Sequence, residues 1–371
     1  MRYTLQINTG SFIRPSALRG DSLDKFRRCL DALDVERVIF GWSPERAVNE
    51  AIISALTDKG VEKYIWLPVF SEVRDLPGAE PLLPIRGGND RPMRVCDGET
   101  FDFVCPSSKA NLEAAVATFD MLTAALPIDG AFIDRIRYAS AAHSASALYG
   151  CWCDRCRARC ESAGIDAGRI EALAAEGLDP FVPDRLESGR CRFADADVDA
   201  LFAVKRRTVL EAVDFLREAL GRRGAKLGID TFAPVVSDFV GQDSFELARR
   251  ADFIKPMMYL RTYAPAGVSF ELDALGSAVA GRLRELWGVC PGGTEAFERQ
   301  TQWLNGVRGN AAPGIDVNRI DGICDATPEY ALDLIARSES ARCASVVLSW
   351  DVLRMEDGMI DRIAARHHSV S

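Results

Sequence analysis

Near the middle of the chain the sequence reads Asp129-Gly-Ala-Phe-Ile-Asp-Arg-Ile-Arg-Tyr138. Its apolar residues 131–133 are typical of a short buried strand, and charged residues follow them directly. The active sites of (β/α)8 barrels lie at the carboxyl ends of the strands, so a charge at this point indicates catalysis or ligand binding. Asp134 is therefore our first candidate for an active-site residue. The structural alternative is that Asp134 pairs with an arginine such as Arg137 and holds a loop.

The same unit, a strand followed by a helix, recurs along the chain. Apolar or alternating segments predict eight strands, at about residues 3–9, 37–42, 63–70, 131–133, 226–232, 253–259, 313–317 and 345–348. Apolar residues at helical spacing predict helices between them, for example over 22–33, 200–220 and 271–286. Eight such units predict an α/β fold, the (β/α)8 or TIM barrel.

Two of the connections are much longer than the others. Residues 74–106 are rich in Pro and Gly and show no sustained period, which predicts an elaborated loop after the third strand. Residues 139–200 follow the fourth strand and are predicted to make a helical excursion over the barrel mouth. No composition shift marks a second domain, so we predict that residues 1–371 form a single barrel with insertions at about 74–106 and 139–200.

Composition narrows the class of protein. Of 371 residues, 48% are hydrophobic, which is enough to bury a large core, and the net charge is −9. The arginines are scattered and form no basic stripe, so nucleic acid is not an expected partner. No apolar run is long enough to span a membrane and the N-terminus lacks a signal-peptide core, so we expect a cytoplasmic protein without a membrane partner. Eleven cysteines then favour reduced thiols or metal ligands over disulfides.

The strand ends carry polar and aromatic residues that a closed barrel would gather at one mouth. They are Trp42, Glu72, Asp134, Arg137, Asp230, Lys255, Tyr259, Trp350 and Asp351. Glycoside hydrolysis uses such a set: a protonated carboxyl group, an ionised one and flat apolar surfaces for sugar rings. Asp134 and Asp230 are the predicted catalytic pair because adjacent strands carry them, with Asp351 in reserve. The others would bind substrate, with the two tryptophans stacking on rings.

Lys255 lies in an otherwise apolar strand and has two interpretations. A desolvated lysine can form a Schiff base with a carbonyl substrate, as in barrel aldolases. Alternatively, neighbouring carboxylates hold its ammonium group, and the acid-rich mouth favours this interpretation. The matching structural role of Asp230 is an ion pair with Lys255 or a backbone cap.

Four cysteines, Cys151, Cys153, Cys156 and Cys160, have the spacing C-x-C-x2-C-x3-C. Four thiolates can bind Zn²⁺, and because an all-thiolate set leaves no open coordination position, such a zinc would be structural. Typical sites take ligands from separate segments, so a reduced, partly buried thiol cluster is the alternative. Catalysis itself is expected to require no cofactor.

Six strings of the chain also resemble those of glycoside-hydrolase-like (β/α)8 barrels. They are Asp129–Tyr138, Cys151-Trp-Cys-Asp-Arg-Cys156, Gly228-Ile-Asp-Thr-Phe-Ala-Pro234, Val240-Gly-Gln-Asp243, Phe253-Ile-Lys-Pro-Met-Met-Tyr259 and Leu348-Ser-Trp-Asp351. The likeness runs from about residue 125 to 352 and is specific in order and spacing. It implies a sugar-active barrel more firmly than a particular reaction.

The aspartate after the fourth strand is similar in position to the nucleophile of alpha-amylase-like and alpha-galactosidase-like barrels. This resemblance implies that Asp134 is the nucleophile. The chain departs from the amylase pattern after the fifth strand, where the matching acid would be Glu and Asp230 stands instead. That difference leaves the acid/base assignment open.

We therefore expect a glycoside hydrolase that acts on a small glycoside or oligosaccharide through two carboxylates. The GxSxG elbow, the Walker loop and the dinucleotide fingerprint are absent, which disfavours those enzyme classes. The alternatives are a lyase or aldolase-type enzyme using Lys255 and a carbohydrate-binding barrel without catalysis. The expected partner is a small-molecule carbohydrate, and a homo-oligomer is compatible with the sequence. The sugar, its linkage and the stereochemical outcome stay open.

Overall fold

Eight parallel strands form a closed barrel in the computed structural model, which describes residues 1–9, 20–41, 45–71, 78–85 and 102–370, with side chains to residue 366. The strands are β1 (Arg2–Asn8), β2 (Val35–Gly41), β3 (Glu62–Pro68), β4 (Gly130–Asp134), β5 (Lys226–Phe232), β6 (Phe253–Met257), β7 (Gly314–Asp316) and β8 (Ser345–Ser349). The barrel closes because β1 pairs with both β2 and β8. The predicted (β/α)8 barrel is confirmed, and each strand lies where the apolar segments predicted it.

Helices surround the barrel and follow the strands in the chain. They are α1 (Gly20–Ala32), α2 (Arg46–Ala55), α3 (Lys109–Thr123), α4 (Asp154–Ser162), α5 (Ala167–Leu173), α6 (Ala196–Gly221), α7 (Pro234–Ser237), α8 (Ser244–Arg250), α9 (Val268–Trp287), α10 (Thr294–Arg308), α11 (Pro328–Ser340) and α12 (Asp357–Val370). Side chains of Ser108, Asp243 and Thr327 accept backbone N–H bonds at the starts of α3, α8 and α11. Within the described ranges, no helix has the length and apolarity needed to cross a membrane.

The two long connections follow β3 and β4, as predicted. After β4 the chain forms α4, α5 and a two-stranded antiparallel ribbon of Arg185–Glu187 and Arg190–Arg192 before it reaches α6. Beyond residue 71, the loop after β3 is described in two parts, 78–85 and 102–108, which pair through a bridge between Pro81 and Val104. The two connections contact each other, because the backbone N–H of Trp152 donates to the Leu83 carbonyl over 2.7 Å.

Alternate residues of the strands fill the inside of the barrel. The inner cluster consists of Ile39, Tyr64, Trp66, Phe132, Phe253, Ala312 and Val347. The Phe132 and Phe253 rings stack at 5.7 Å, and Tyr64 meets Phe253 edge-on at 5.2 Å. Because side chains alternate along a strand, residues two positions beyond this cluster form the next layer toward the carboxyl ends. That layer contains Asp134, Lys255 and Ser349.

A glycine makes room for the lysine in this layer. A Cβ atom placed on Gly314 of β7 would lie 2.5 Å from Lys255 Cε and 3.2 Å from Ser349 Oγ. The lysine side chain therefore occupies the space that any other residue at position 314 would need.

We expect Gly314→Ala to lower the free energy of unfolding by about 1–3 kcal/mol, because the added methyl group overpacks the barrel. The matched control is Gly281→Ala in α9, where no atom lies within 4 Å of the added Cβ. That change should stabilise the protein by roughly 0.5–1 kcal/mol, since alanine favours helix. Urea unfolding followed by circular dichroism measures both, and a neutral Gly314→Ala would contradict the close contact.

Candidate active site

Asp134 is the last residue of β4, and both of its carboxylate oxygens accept hydrogen bonds. Trp66 Nε1 donates to Oδ2 over 3.0 Å, and the Arg135 backbone N–H donates to Oδ1 over 2.5 Å. Arg135 has a φ of 54°, in the left-handed region that costs energy for a residue with a side chain. Its guanidinium donates to Ser71 Oγ over 2.8 Å. The backbone bend at Arg135 places its N–H against Oδ1, so that this bond and the one from Trp66 hold the Asp134 carboxylate in one orientation.

Asp230 lies beside Asp134, on the adjacent strand. The register pairs Ile133 of β4 with Ile229 of β5, so the two aspartates follow at equivalent positions. Only 1% of Asp230 is exposed, and Lys255 Nζ donates to its Oδ2 over 2.9 Å. Burial raises the pKa of Asp230 to about 8, although Lys255 opposes the shift, and the charge of Asp134 raises it further. The neighbouring carboxyl groups thus differ: Asp134 accepts two N–H bonds, whereas Asp230 is almost fully buried beside Lys255.

Lys255 is fully buried and makes two hydrogen bonds. Besides Asp230, its Nζ contacts Tyr259 Oη at 2.6 Å. Burial raises the pKa of the Tyr259 phenol well above its ordinary value, so the hydroxyl keeps its proton. The Tyr259 ring lies 6.2 Å from the Trp350 ring, measured between centroids. These contacts correspond to the interpretation in which neighbouring groups hold the lysine, here the carboxyl group of Asp230 and the hydroxyl group of Tyr259.

Arg137 is also buried, with 3% of the residue exposed. Its guanidinium lies 4.3 Å from the centre of the Phe232 ring and 4.9 Å from that of Phe103, and Nη1 donates to the Tyr138 carbonyl over 2.9 Å. Burial lowers the pKa of Arg137 to about 10, and the buried Glu271 is the main group opposing that shift. Arg137 therefore lies between aromatic rings and within the field of an acid from α9.

Asp351 is held by its own turn and not by Asp134 or Asp230. Its Oδ1 accepts from the Leu353 N–H over 3.1 Å, and Oδ2 lies 3.8 Å from Arg354 Nε. Burial raises the pKa of Asp351 to about 6. These contacts place it as the cap of the short helical turn after β8. Two further predicted residues, Trp42 and Glu72, lie outside the described residues.

The structure adds three residues to which the sequence assigned no role, although Gln242 lies in the string Val240-Gly-Gln-Asp243. Trp66 orients Asp134, and assigning the inward face of β3 would have revealed it, since it lies two residues after the inward Tyr64. Gln242 donates to the carbonyls of Ile136 at 3.4 Å and Asp230 at 3.2 Å, and so connects the ends of β4 and β5. Glu271 of α9 acts on Arg137 through its charge, and no local pattern indicates that interaction.

Asp316, at the end of β7, is a buried carboxylate with hydrogen bonds on both oxygens. Its Oδ2 accepts from the Arg261 N–H at 2.8 Å and from Thr262 Oγ1 at 2.9 Å, while Tyr330 donates to Oδ1. Burial raises its pKa. These bonds connect the end of β7 to the loop after β6 and to helix α11, so we assign Asp316 a structural role.

One group of side chains has the composition of a metal site. The sulfur atoms of Cys105, Cys151, Cys153 and Cys156 all lie within 4.8 Å of one another. The membership differs from the predicted set, because Cys105 belongs to the group and Cys160 does not. Cys105 is 46 residues before Cys151 in the chain, so sequence spacing gave no indication of the contact.

Comparison with solved structures shows the fold. The chain is similar to the PgaB (BpsB) glycoside hydrolase domain from Bordetella bronchiseptica, with a TM-score of 0.57, 15% identity and 95% of each chain covered. It is also similar to alpha-L-fucosidase isoenzyme 2 from Paenibacillus thiaminolyticus, with a TM-score of 0.58, 14% identity, and 100% of this chain but 49% of that one covered. No protein-family model and no curated protein matches the chain. The resemblance to glycoside-hydrolase-like barrels is thus confirmed at the level of fold.

Asp230 and Asp351 are both buried, and each should make the stability of the protein depend on pH over a different range. A carboxyl group whose pKa is raised by folding stabilises the folded state fully only below its unfolded pKa, about 4, and this contribution is lost as the pH rises through the folded pKa. For Asp230 the loss extends to about pH 8, and for Asp351 it ends near pH 6.

We therefore expect wild-type stability, relative to Asp230→Asn, to fall steadily from pH 5 to about pH 8. Relative to Asp351→Asn, it should fall only to about pH 6. Urea unfolding of the three proteins at half-unit pH intervals gives both differences. Coincident windows for the two variants would contradict the assigned burial of Asp230.

Proposed function

We propose that this protein is a glycoside hydrolase that acts on a small glycoside or an oligosaccharide. The observation that carries the proposal is the contrast between two neighbouring carboxyl groups. Asp134 accepts one N–H bond on each oxygen, whereas burial raises the pKa of Asp230 to about 8, so that it holds a proton at neutral pH. Glycosidic cleavage needs one carboxylic acid and one carboxylate on either side of the bond.

In this proposal Asp230 is the general acid. Lys255 occupies its Oδ2, whereas the buried Oδ1 has no hydrogen-bond partner in the described part of the chain. Oδ1 would therefore carry the proton and deliver it to the glycosidic oxygen. Lys255 is a positioning residue, since Tyr259 holds its ammonium group against the other oxygen.

Asp134 would supply the carboxylate. It either attacks the anomeric carbon or removes a proton from an attacking water, and the two routes differ in the separation of the carboxyl groups. Trp66 and the Arg135 N–H hold the carboxylate for either route. Product anomers followed by NMR from the start of the reaction would distinguish retention from inversion.

The surroundings of the pair suit a hydroxylated ligand. Arg137 Nε is a buried donor without a hydrogen-bond partner among the residues that the structure describes. An unpaired buried polar group is costly, so such a donor favours a ligand that brings an acceptor. Trp350 offers an aromatic face beside Tyr259, suited to stacking on a sugar ring. Trp42 and Glu72 stay predicted substrate contacts, and so does Asp351, although its Oδ1 caps the turn after β8.

The lyase or aldolase alternative requires Lys255 to attack a carbonyl group as a free amine. Its Nζ is instead bonded to Asp230 and Tyr259 and is fully buried, which favours the hydrolase. Borohydride trapping with a carbonyl substrate tests the alternative, because a covalent adduct on Lys255 would exclude the proposed mechanism. The similarity to a glycoside hydrolase domain and to a fucosidase supports the fold on which the proposal rests.

We expect Asp134→Asn to lower kcat about 10²–10⁴-fold on every accepted glycoside, because it removes the only carboxylate of the pair. Asp230→Asn should lower kcat/KM by a similar factor for alkyl glycosides and far less for dinitrophenyl glycosides, whose leaving group needs no proton. Steady-state rates on a panel of matched alkyl and aryl glycosides measure both effects.

The control for these variants is Asp129→Asn. Asp129 directly precedes β4 and so lies at the opposite end of that strand from Asp134. Asp129 accepts a hydrogen bond from the Lys63 N–H over 2.8 Å, which an asparagine oxygen can also accept. Its activity should equal that of the wild type. If no protein turns over any glycoside while ligand affinity persists, the carbohydrate-binding alternative stands and the hydrolase is excluded.

The pH profile tests the role of Asp230 separately. Activity should fall as the acid loses its proton, so kcat/KM should decline above about pH 8. Lys255→Met removes the cation that lowers the pKa of Asp230, so the alkaline limb should move to higher pH. An alkaline limb that stays in place in this variant would show that Asp230 is not the acid.

A further inference from the structure

We propose that Cys105, Cys151, Cys153 and Cys156 form a structural zinc site that joins the two long connections of the barrel. The Cys105 sulfur lies 3.5 Å from that of Cys156 and 3.7 Å from that of Cys153. A tetrahedral zinc ion with Zn–S bonds of about 2.3 Å separates its sulfur ligands by about 3.8 Å. Two of the sulfur–sulfur distances are thus close to this value, and none exceeds 4.8 Å, so small shifts of the side chains would place all four thiols around one ion.

The four cysteines come from two segments of the chain, unlike the single stretch that the sequence suggested. Cys160 is four residues beyond Cys156 on α4, about 6 Å further along the helix axis, and it packs in a different hydrophobic cluster. Cys105 takes the fourth place and comes from the other long connection. Ligands from two separate segments are typical of structural zinc sites.

Local structure favours thiolates at this point. Cys153 is the N-cap of α4 and Cys156 lies in its first turn, where the positive end of the helix dipole stabilises negative charge. Ser107 Oγ lies 3.4 Å from Cys156 Sγ, within reach to donate to a metal-bound sulfur. Cys105, Cys151 and Cys156 are at most 5% exposed, and Cys153 is half-buried. The ion would thus be shielded on most sides.

The donor set selects the metal. A set of four sulfur ligands suits zinc or a single iron ion, whereas magnesium and calcium require oxygen ligands. A polynuclear iron–sulfur cluster would insert several atoms between the thiolates and force them further apart. All four positions are taken by protein, so the ion has no site for water or substrate and its role is structural.

The proposed zinc site would fix the loop after β3 where it borders the barrel mouth. Phe103, two residues before Cys105, lies under the guanidinium of Arg137. The Cys105 N–H donates to the Glu80 carbonyl over 2.8 Å, so the same point also fixes the loop at 78–85. This connection to the mouth rests on the proposed function, but the metal site itself does not.

Metal analysis of the full-length protein tests the proposal. After purification without chelators, mass spectrometry of the metal content should find about one zinc ion per chain. Cys105→Ser should lose most of that zinc. Cys160→Ser, whose cysteine lies in the stretch with Cys151, Cys153 and Cys156, should keep it. Cobalt exchanged into the site should give the intense visible bands of tetrahedral cobalt thiolate.

A second measurement on the wild type covers the case in which Cys105→Ser does not fold. Titration with a thiol-blocking mercurial should release the zinc, detected by a chromogenic chelator, in step with modification of four thiols. Folded wild type without zinc, a disulfide within the group found by mass spectrometry, or equal zinc loss in Cys160→Ser would overturn the site. Absence of glycoside turnover would not affect these readouts, so failure of the proposed function is distinguishable.

Discussion

Lys255 and Asp230 meet at 2.9 Å inside a closed barrel, where neither side chain reaches water. Removing two ionisable groups from water is costly, so each needs the other and further hydrogen bonds. Gly314 leaves space for the lysine, and Tyr259 provides its second partner. The sizes and positions of residues on three strands therefore depend on this one contact, because a misplaced partner would leave a buried charge unpaired.

The same region keeps groups that folding alone does not explain. Asp230 Oδ1 and Arg137 Nε are buried without partners in the described structure, and Arg135 has an unfavourable backbone conformation beside Asp134. Each feature lowers stability, and such features concentrate where a protein binds or transforms a ligand. Asp316, at an equivalent strand end, has partners on both oxygens and shows the ordinary structural solution.

The long connections have an organisation of their own. They come from different strands, yet they meet at a group of four sulfur atoms and at the contact between Trp152 and Leu83. Loops of this length lose much conformational freedom when they become ordered. A cross-link between them would offset that loss and hold Phe103 in position beneath Arg137.

The sequence by itself determined the eight strands, the two long connections and the aspartates at the ends of β4 and β5, because apolar periodicity and strand-end charge are local signals. Tertiary structure alone decided that Asp351 belongs to its own turn, that Trp66 and Gln242 support the aspartates, and that Cys105 replaces Cys160. The physical reason is distance along the chain. The inward or outward direction of each strand residue, the register of the strands and the contacts between loops bring together residues that no local pattern relates. The interactions between these residues form only when the barrel closes.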